Sequence, residues 1–139
     1  MGDDDEAKSS GAGVEAGGGA PDRTKIPTST PVIALRMETL LQWVAERVTK
    51  FPRDHKFTVG DRLIETCLDV AGHLVEASYR RDKGGDLSAA SRGLVRARVL
   101  MRLARGLRCV SETQHLHFAK ESDEVGRMLG GWIRSARSR

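Results

Sequence analysis

Six arginines lie between residues 86 and 108, in a segment whose only acidic residue is Asp86. Arginine binds phosphate through a planar fork of hydrogen-bond donors, whereas lysine acts as a point charge. Like charges four residues apart on a helix repel each other and cost stability, so this concentration favours a functional role. The chemistry predicts a polyanionic partner.

Four of these arginines fall within one sector of a predicted helix, about 120° wide when residues are placed about 100° apart around the axis: Arg98, Arg102, Arg105 and Arg108. We expect this row to contact backbone phosphates with little sequence preference. A solvated row and a contact with an acidic protein surface are the alternatives. Arg92 and Arg96 lie nearer the predicted apolar side, where they either pair with acids such as Glu65 and Asp69 or lie at a subunit interface.

No arrangement typical of an enzyme or a metal centre is found in the sequence. The histidines lack metal-ligand spacing and no cysteine–histidine cluster occurs. Neither a glycine-rich phosphate loop nor a nucleophile–base pair is identifiable. We therefore expect no catalytic residue, no metal and no cofactor, and a protein that works by binding.

Charge divides the chain into two parts. Residues 1–30 hold 3 Lys/Arg and 6 Asp/Glu, whereas residues 31–139 hold 20 and 13, so the net charges are −3 and +7. Residues 1–29 are rich in Gly, Ala, Ser and Asp and poor in large apolar side chains, which predicts a disordered acidic tail. Residues 30–139 are predicted to fold as one domain.

The first two helices are predicted from apolar residues at helical spacing. The first begins at Thr30–Pro31, a favourable cap followed by a favourable first residue, and ends near Lys50. The second begins at a capping box formed by Thr58 and Asp61.

The third helix is predicted to run from about Asp86 to Arg108 and to pack through one apolar face: Val99, Leu100, Leu103, Leu107 and Val110. A capping box at Ser111–Gln114 begins the fourth helix. Four helices with short connections predict an all-α, up-down-up-down antiparallel four-helix bundle. In the fourth helix, Trp132 follows two glycines and is expected either in the core or at an oligomer contact.

Cys67 and Cys109 lie within apolar helical patterns and are predicted to be reduced, buried thiols. No segment approaches 18 uncharged apolar residues, so no membrane span is expected. The acidic start of the sequence is unlike a secretory signal. We expect a cytoplasmic protein.

Four segments carry a family resemblance: FPRDHKFTVGDRL (51–63), LVEASYRRD (74–82), RARVLMRLARGL (96–107) and GRMLGGWIRS (126–135). Together they resemble the accessory protein Avd of diversity-generating retroelements and the related four-helix-bundle proteins encoded by intervening sequences in 23S ribosomal RNA genes. The resemblance covers about residues 31–137.

The resemblance implies a four-helix protomer that assembles as a ring-like homopentamer with a basic surface. It implies a non-enzymatic factor that binds template RNA or cDNA and a reverse transcriptase, and so supports mutagenic cDNA synthesis. The arginines of the third helix, together with Arg127, Arg134 and Arg137 of the fourth, are then the candidates for nucleic-acid contact. An rRNA- or ribosome-associated bundle and an oligomeric protein-binding scaffold remain the alternatives.

Overall fold

The computed structural model describes residues 30–138, which are all-helical and contain no strand in that range. The four long helices are α1 (Val32–Val48), α2 (Asp61–Tyr79), α3 (Gly84–Gly106) and α4 (Glu112–Arg137). A helical turn (Arg53–His55) and a π-helical segment (Lys56–Gly60) lead directly into α2. The tail predicted at residues 1–29 lies outside the described residues.

Each helix packs against two neighbours. α2 packs most extensively against α3 and also against α1, and α4 packs against α3 and α1. Because the connections are short, helices that follow one another in sequence run antiparallel. The predicted up-down-up-down four-helix bundle is confirmed. Within the described residues, no helix is both long and apolar enough to cross a membrane.

Within residues 30–138, the core is built from aliphatic side chains and two buried aromatic rings, those of Phe51 and Phe118. The predicted apolar face of α1 is confirmed, because its members are buried: Ile33, Met37, Leu40, Val44 and Val48. Cys67 is buried in α2, and Cys109 is partly buried; both are free thiols. Such a core suits a bundle, in which aliphatic side chains of neighbouring helices interdigitate.

The apolar face predicted for α3 is only partly correct: Val110 is buried and Leu100 packs against the core, but two other members do not. Val99 and Leu103 are about half exposed, and the buried face lies on the other side of the helix: Leu87, Ala90, Gly93, Leu94, Ala97, Met101 and Ala104. Small residues dominate that face because α2 comes close to it: a Cβ atom at Gly93 would lie 2.7 Å from Val70 Cγ2. Large apolar side chains therefore occur on both sides of α3, at Leu87, Leu94 and Met101 on the packing face and at Val99 and Leu103 on the outer side.

The predicted capping box at the start of α2 is wrong. No side chain caps this helix, because the chain is already helical before it reaches Thr58. Helical structure begins one residue after Pro52, whose fixed φ suits a helix start. Gly60 is buried against the end of α1, where a Cβ atom would lie 2.6 Å from Val48 Cγ1. Close contact with α1 thus accompanies the π-helical segment.

The capping box of α4 is confirmed. The Gln114 N–H donates to Ser111 Oγ (3.1 Å), and the Ser111 N–H donates to Gln114 Oε1 (2.9 Å). These bonds satisfy two backbone donors at the helix start.

A set of polar contacts joins the end of α2 to the start of α3. α3 begins at Gly84, so Asp86 lies in its first turn. Its carboxylate lies 2.8 Å from Arg80 Nε and 3.0 Å from His73 Nδ1. The Lys83 ammonium group donates to the carbonyl of Ala77 (2.7 Å) at the end of α2. This connection is therefore well fixed.

Candidate nucleic-acid interface

An arginine in the left-handed backbone region lies two residues after the end of α3. Arg108 has a φ of 64°, and it is the only non-glycine residue with positive φ among residues 30–138. Its N–H donates to the Arg105 carbonyl (2.9 Å), and the Cys109 N–H donates to the Ala104 carbonyl (2.8 Å). Glycine is usual at such a position because a side chain there costs about 1–2 kcal/mol. An arginine at a strained position indicates a role for its side chain.

Arg98 does not lie in an exposed row with the other arginines. Its side chain is 34% exposed and lies in the groove between α3 and α4. Nη2 donates to the Ser122 carbonyl (3.0 Å) and lies 3.3 Å from Asp123 Oδ1. Its Nε is buried and has no hydrogen-bond partner among the described residues. Arg98 therefore joins α3 to α4.

The three remaining predicted arginines of the third helix differ in their partners. Arg105 lies 3.3 Å from Glu112 Oε1 and 3.4 Å from His115 Nδ1. Arg102 and Arg108 are exposed, and neither side chain bonds to any other residue of the described range. Their charges are thus available to a ligand.

A basic region surrounds these arginines at one end of the bundle, because the π-helical segment contacts α3. We call it the basic end and define it by six cationic residues: Lys50, Arg53, Lys56, Arg102, Arg105 and Arg108. These cations lie in residues 50–61 and 102–112. The acidic residues of the two segments are Asp54, Asp61 and Glu112, of which Glu112 is paired with Arg105. The basic end therefore keeps an excess of positive charge.

Arg127 of α4 is paired. Its guanidinium group forms an ion pair with Glu124, which also lies 3.9 Å from Arg36 of α1. The hydrogen bond from Arg127 is the main cause that lowers the pKa of Glu124. Because these groups are exposed, the pair adds little to stability, yet it reduces the charge that Arg127 offers to a polyanion.

Arg134 and Arg137 lie at the opposite end of the bundle. Arg137 lines a groove of about 520 Å³ together with Arg81 and Lys83, beside the start of α3. Since α3 has 23 residues, this groove is about 30–35 Å from the basic end. The seven arginines predicted to bind nucleic acid therefore do not form one continuous patch.

The three residues predicted at an oligomer interface occupy different environments. Arg92 and Arg96 are exposed on the outer side of α3; Arg92 donates to Ser88 Oγ (2.7 Å), and neither pairs with Glu65 or Asp69. Trp132 is partly buried and packs against the core. Of the three, only the arginines face fully outward.

A family model described as bAvd-like matches residues 31–136, which is more than half of the chain. The chain belongs to the bAvd-like family. This confirms the resemblance to an Avd-type accessory protein, in a family that is generally non-catalytic. No curated protein matches the chain.

Two aromatic features of this bAvd-like protein were missed in the sequence. Phe57 is 66% exposed at the basic end, where Lys56 Nζ lies 5.8 Å from its ring centroid. The rings of Trp43 of α1 and His117 of α4 are in contact, with centroids 4.7 Å apart and planes tilted by 41°, and Arg47 lies over the Trp43 ring. The adjacency of Lys56 and Phe57 was visible in the sequence, but the contact between Trp43 and His117 joins residues that are distant in sequence.

No group of three or more His, Cys, Asp or Glu side chains among residues 30–138 is arranged to hold a metal ion. Unpaired guanidinium groups remain the chemically distinctive feature, and their preferred ligands are phosphates and carboxylates.

Proposed function

We propose that this chain is a non-enzymatic accessory factor of a diversity-generating retroelement. In this proposal it binds template RNA or cDNA and the element's reverse transcriptase, and so supports mutagenic cDNA synthesis in the cytoplasm. Membership of the bAvd-like family supports the assignment. The proposal that it binds nucleic acid depends on one observation: within the basic end, the side chains of Arg102 and Arg108 have no partner among the described residues.

The basic end suits a phosphate backbone better than a specific base sequence. Arg102 and Arg108 are exposed, and Arg53 adds a third exposed cation. Contacts of this kind position a nucleic acid without reading its sequence. The exposed ring of Phe57 offers one apolar surface on which an unpaired base could stack.

The proposal narrows the set of residues predicted from sequence. Arg102 and Arg108 are the principal phosphate ligands and Arg105 a secondary one, since it already has carboxylate and imidazole neighbours. Arg98 is mainly structural. Arg134 and Arg137 form a separate positive region, which suits a second stretch of the same nucleic acid or the reverse transcriptase.

We further propose that the protomer assembles as a ring-like homopentamer. The resemblance to Avd supports this assembly, and so do large apolar side chains left exposed on the outer sides of the helices. A ring would place several basic ends on one rim, and repeated weak phosphate contacts would then combine through multivalency.

Fluorescence anisotropy with labelled single-stranded RNA, measured over a range of salt concentrations, tests the nucleic-acid assignment. The informative variant is Arg102→Ala/Arg108→Gly, because glycine suits the left-handed backbone at position 108. We expect the affinity to fall about tenfold or more and the salt dependence to become shallower by about one to two contacts.

Arg127→Ala is the matched control, because it also removes an exposed arginine but one that is paired with Glu124. We expect this control to bind RNA almost as the wild type does. Unchanged affinity and unchanged salt slope in the Arg102→Ala/Arg108→Gly variant would refute the basic end as the binding surface.

The partner is tested by reconstituting cDNA synthesis with the purified reverse transcriptase and template RNA of a bAvd-encoding retroelement. We expect synthesis to depend on this chain and to be reduced by Arg102→Ala/Arg108→Gly. RNA binding without any effect on the reverse transcriptase would instead favour the rRNA-associated alternative.

A further inference from the structure

The outer side of α3 carries an exposed row of apolar side chains. Val95, Val99 and Leu103 follow one another at intervals of four residues and are 56%, 50% and 47% exposed. Residues at this spacing lie on one side of a helix. Arg92 and Arg96 belong to the same outer side, and neither has an acidic partner among residues 30–138. We call these five residues the basic–apolar face.

The outer side of α2 has the opposite charge. Asp61, Glu65 and Asp69 are exposed, and none forms an ion pair within the described range. Two exposed apolar residues, Leu68 and Tyr79, lie along the same side of the helix. We call these five residues the acidic–apolar face. Arg62 is the only arginine or lysine of α2, so the face is negative overall.

The centre of the acidic–apolar face is open. Gly72 lies in the interior of α2, where glycine is less favourable than alanine. A Cβ atom there would meet nothing within 4 Å, so packing within the chain does not require this glycine. The exposed backbone at Gly72 leaves room for a side chain from a second molecule.

We propose that the acidic–apolar face of one copy packs against the basic–apolar face of the next copy. This inference rests on the proposed homo-oligomer and names the two surfaces that form it. Pairing the α3 face with itself would bring arginines together, and pairing the α2 face with itself would bring carboxylates together. Only the mixed pairing covers apolar side chains on both sides and joins opposite charges.

Such a contact uses different surfaces on its two sides, and so it is heterologous. Heterologous contacts build rings when the rotation between copies closes, and open filaments when it does not. α2 and α3 are neighbouring helices rather than opposite ones. Their outer faces therefore point in different directions, so each added copy turns relative to the last and ring closure is geometrically allowed.

The contact leaves Arg108 open. Val95 and Val99 lie in the middle of α3, whereas Arg108 follows the end of the helix. Copies joined along α2 and α3 would hold their Arg108 side chains at the same end of the assembly. The oligomer contact is centred on the middle of α3, and it meets the proposed phosphate contact at Leu103, which lies between Arg102 and Arg105.

Charge reversal tests the pairing by analytical ultracentrifugation and native mass spectrometry. We expect Glu65→Lys/Asp69→Lys and Arg92→Glu/Arg96→Glu each to weaken self-association about a hundredfold or more, because each brings like charges together across the contact. The variant that carries all four substitutions restores opposite charges, and so we expect it to recover the wild-type mass.

Mixing the two double variants sharpens the test. Each has two faces of one sign, and the two variants have opposite signs, so a mixture should assemble only by strict alternation and yield even numbers of subunits. Glu38→Lys/Glu46→Lys on α1 is the matched control, because it makes the same charge change at exposed positions outside both faces. We expect it to assemble as the wild type does.

Two outcomes overturn the inference, and RNA binding measured on the same samples separates them from failure of the proposed function. If both double variants keep the wild-type mass, the oligomer uses other surfaces. If the wild type itself is monomeric with and without RNA, the faces do not bind a second copy. In either case, RNA affinity that depends on Arg102 and Arg108 would leave the nucleic-acid assignment standing.

Discussion

The guanidinium group of Arg98 fills the space that a side chain at Gly126 would occupy. A Cβ atom built on Gly126 would lie 2.9 Å from Arg98 Nη2. The glycine of α4 thereby admits the arginine of α3 to the groove, where it donates to the Ser122 carbonyl. An arginine predicted to face a polyanion thus becomes a link between two helices.

The first prediction tests this relationship with a double-mutant cycle. Gly126→Ala should gain about 1 kcal/mol of helix propensity but displace Arg98 and weaken a charged hydrogen bond of about 1.5–3 kcal/mol. We expect Gly126→Ala to lower the free energy of unfolding of the wild type by about 1 kcal/mol. In the Arg98→Ala background the same change should raise it by about 1 kcal/mol, as measured by urea denaturation. Equal effects in both backgrounds would rule out the coupling.

A second prediction concerns the left-handed residue at the end of α3. Arg108→Gly should stabilise the fold by about 1 kcal/mol, because glycine adopts the φ of 64° without steric cost. Arg102→Gly is the contrasting variant: it places glycine inside α3 and should destabilise by about 1 kcal/mol. Chemical denaturation of both variants gives the comparison. A loss of stability in Arg108→Gly would mean that the arginine side chain makes a stabilising contact.

The fold was largely predictable because helical periodicity is a local signal, although of the three predicted caps only the one at Ser111 forms. The α1 face and the Ser111–Gln114 capping box could be identified from neighbouring residues alone. The α3 face could not, because four of its seven buried residues are alanine or glycine, and how well such small residues pack depends on how closely α2 approaches. A pattern based on large side chains instead selected Val99 and Leu103.

The candidate site was predictable in kind but not in detail. The excess of arginine in α3 was evident from composition, and Arg102 and Arg108 are indeed exposed without partners in the described range. The state of Arg98 depends on Gly126, and that of Arg127 depends on Glu124 and Arg36. Apart from the Arg127–Glu124 pair within α4, these contacts join different helices, and helical spacing alone does not report them.

A third prediction follows from the buried thiol of Cys67. Burial raises its pKa to about 12 from an ordinary value of 9.0. The unfolded chain therefore loses this proton at lower pH than the folded chain does, so stability is lost as the pH rises above about 9. The loss should reach about 1 kcal/mol at pH 10. Denaturation from pH 8 to pH 10.5 measures it.

Cys67→Ala and Cys109→Ala serve as comparison variants for this pH dependence. Cys67→Ala should flatten the decline in unfolding free energy, whereas Cys109→Ala should leave most of it, since Cys109 is only partly buried. In native protein, alkylation should modify Cys109 well before Cys67. An unchanged slope in Cys67→Ala would contradict the assignment.

The fourth prediction concerns the close approach of α2 and α3. The two neighbouring glycines of α4, Gly130 and Gly131, do not lie at such an approach, because a Cβ atom there would meet only the Arg134 side chain at 3.5 Å or more. The close approach instead involves Gly93, whose Cβ would lie 2.7 Å from Val70 Cγ2. Valine is stiff about χ1, so it cannot move aside easily. We expect Gly93→Ala to destabilise by about 1–3 kcal/mol despite its better helix propensity.

Gly130→Ala is the matched control, because it makes the same change inside a helix at a position with ordinary contact distances. It should stabilise by about 1 kcal/mol, from helix propensity alone. Removing the obstructing methyl groups should reverse the sign at position 93: in a Val70→Ala background, Gly93→Ala should be neutral or stabilising. If Gly93→Ala costs the same in both backgrounds, contact with Val70 is not what requires glycine there, and the α2–α3 packing must be limited elsewhere along the interface.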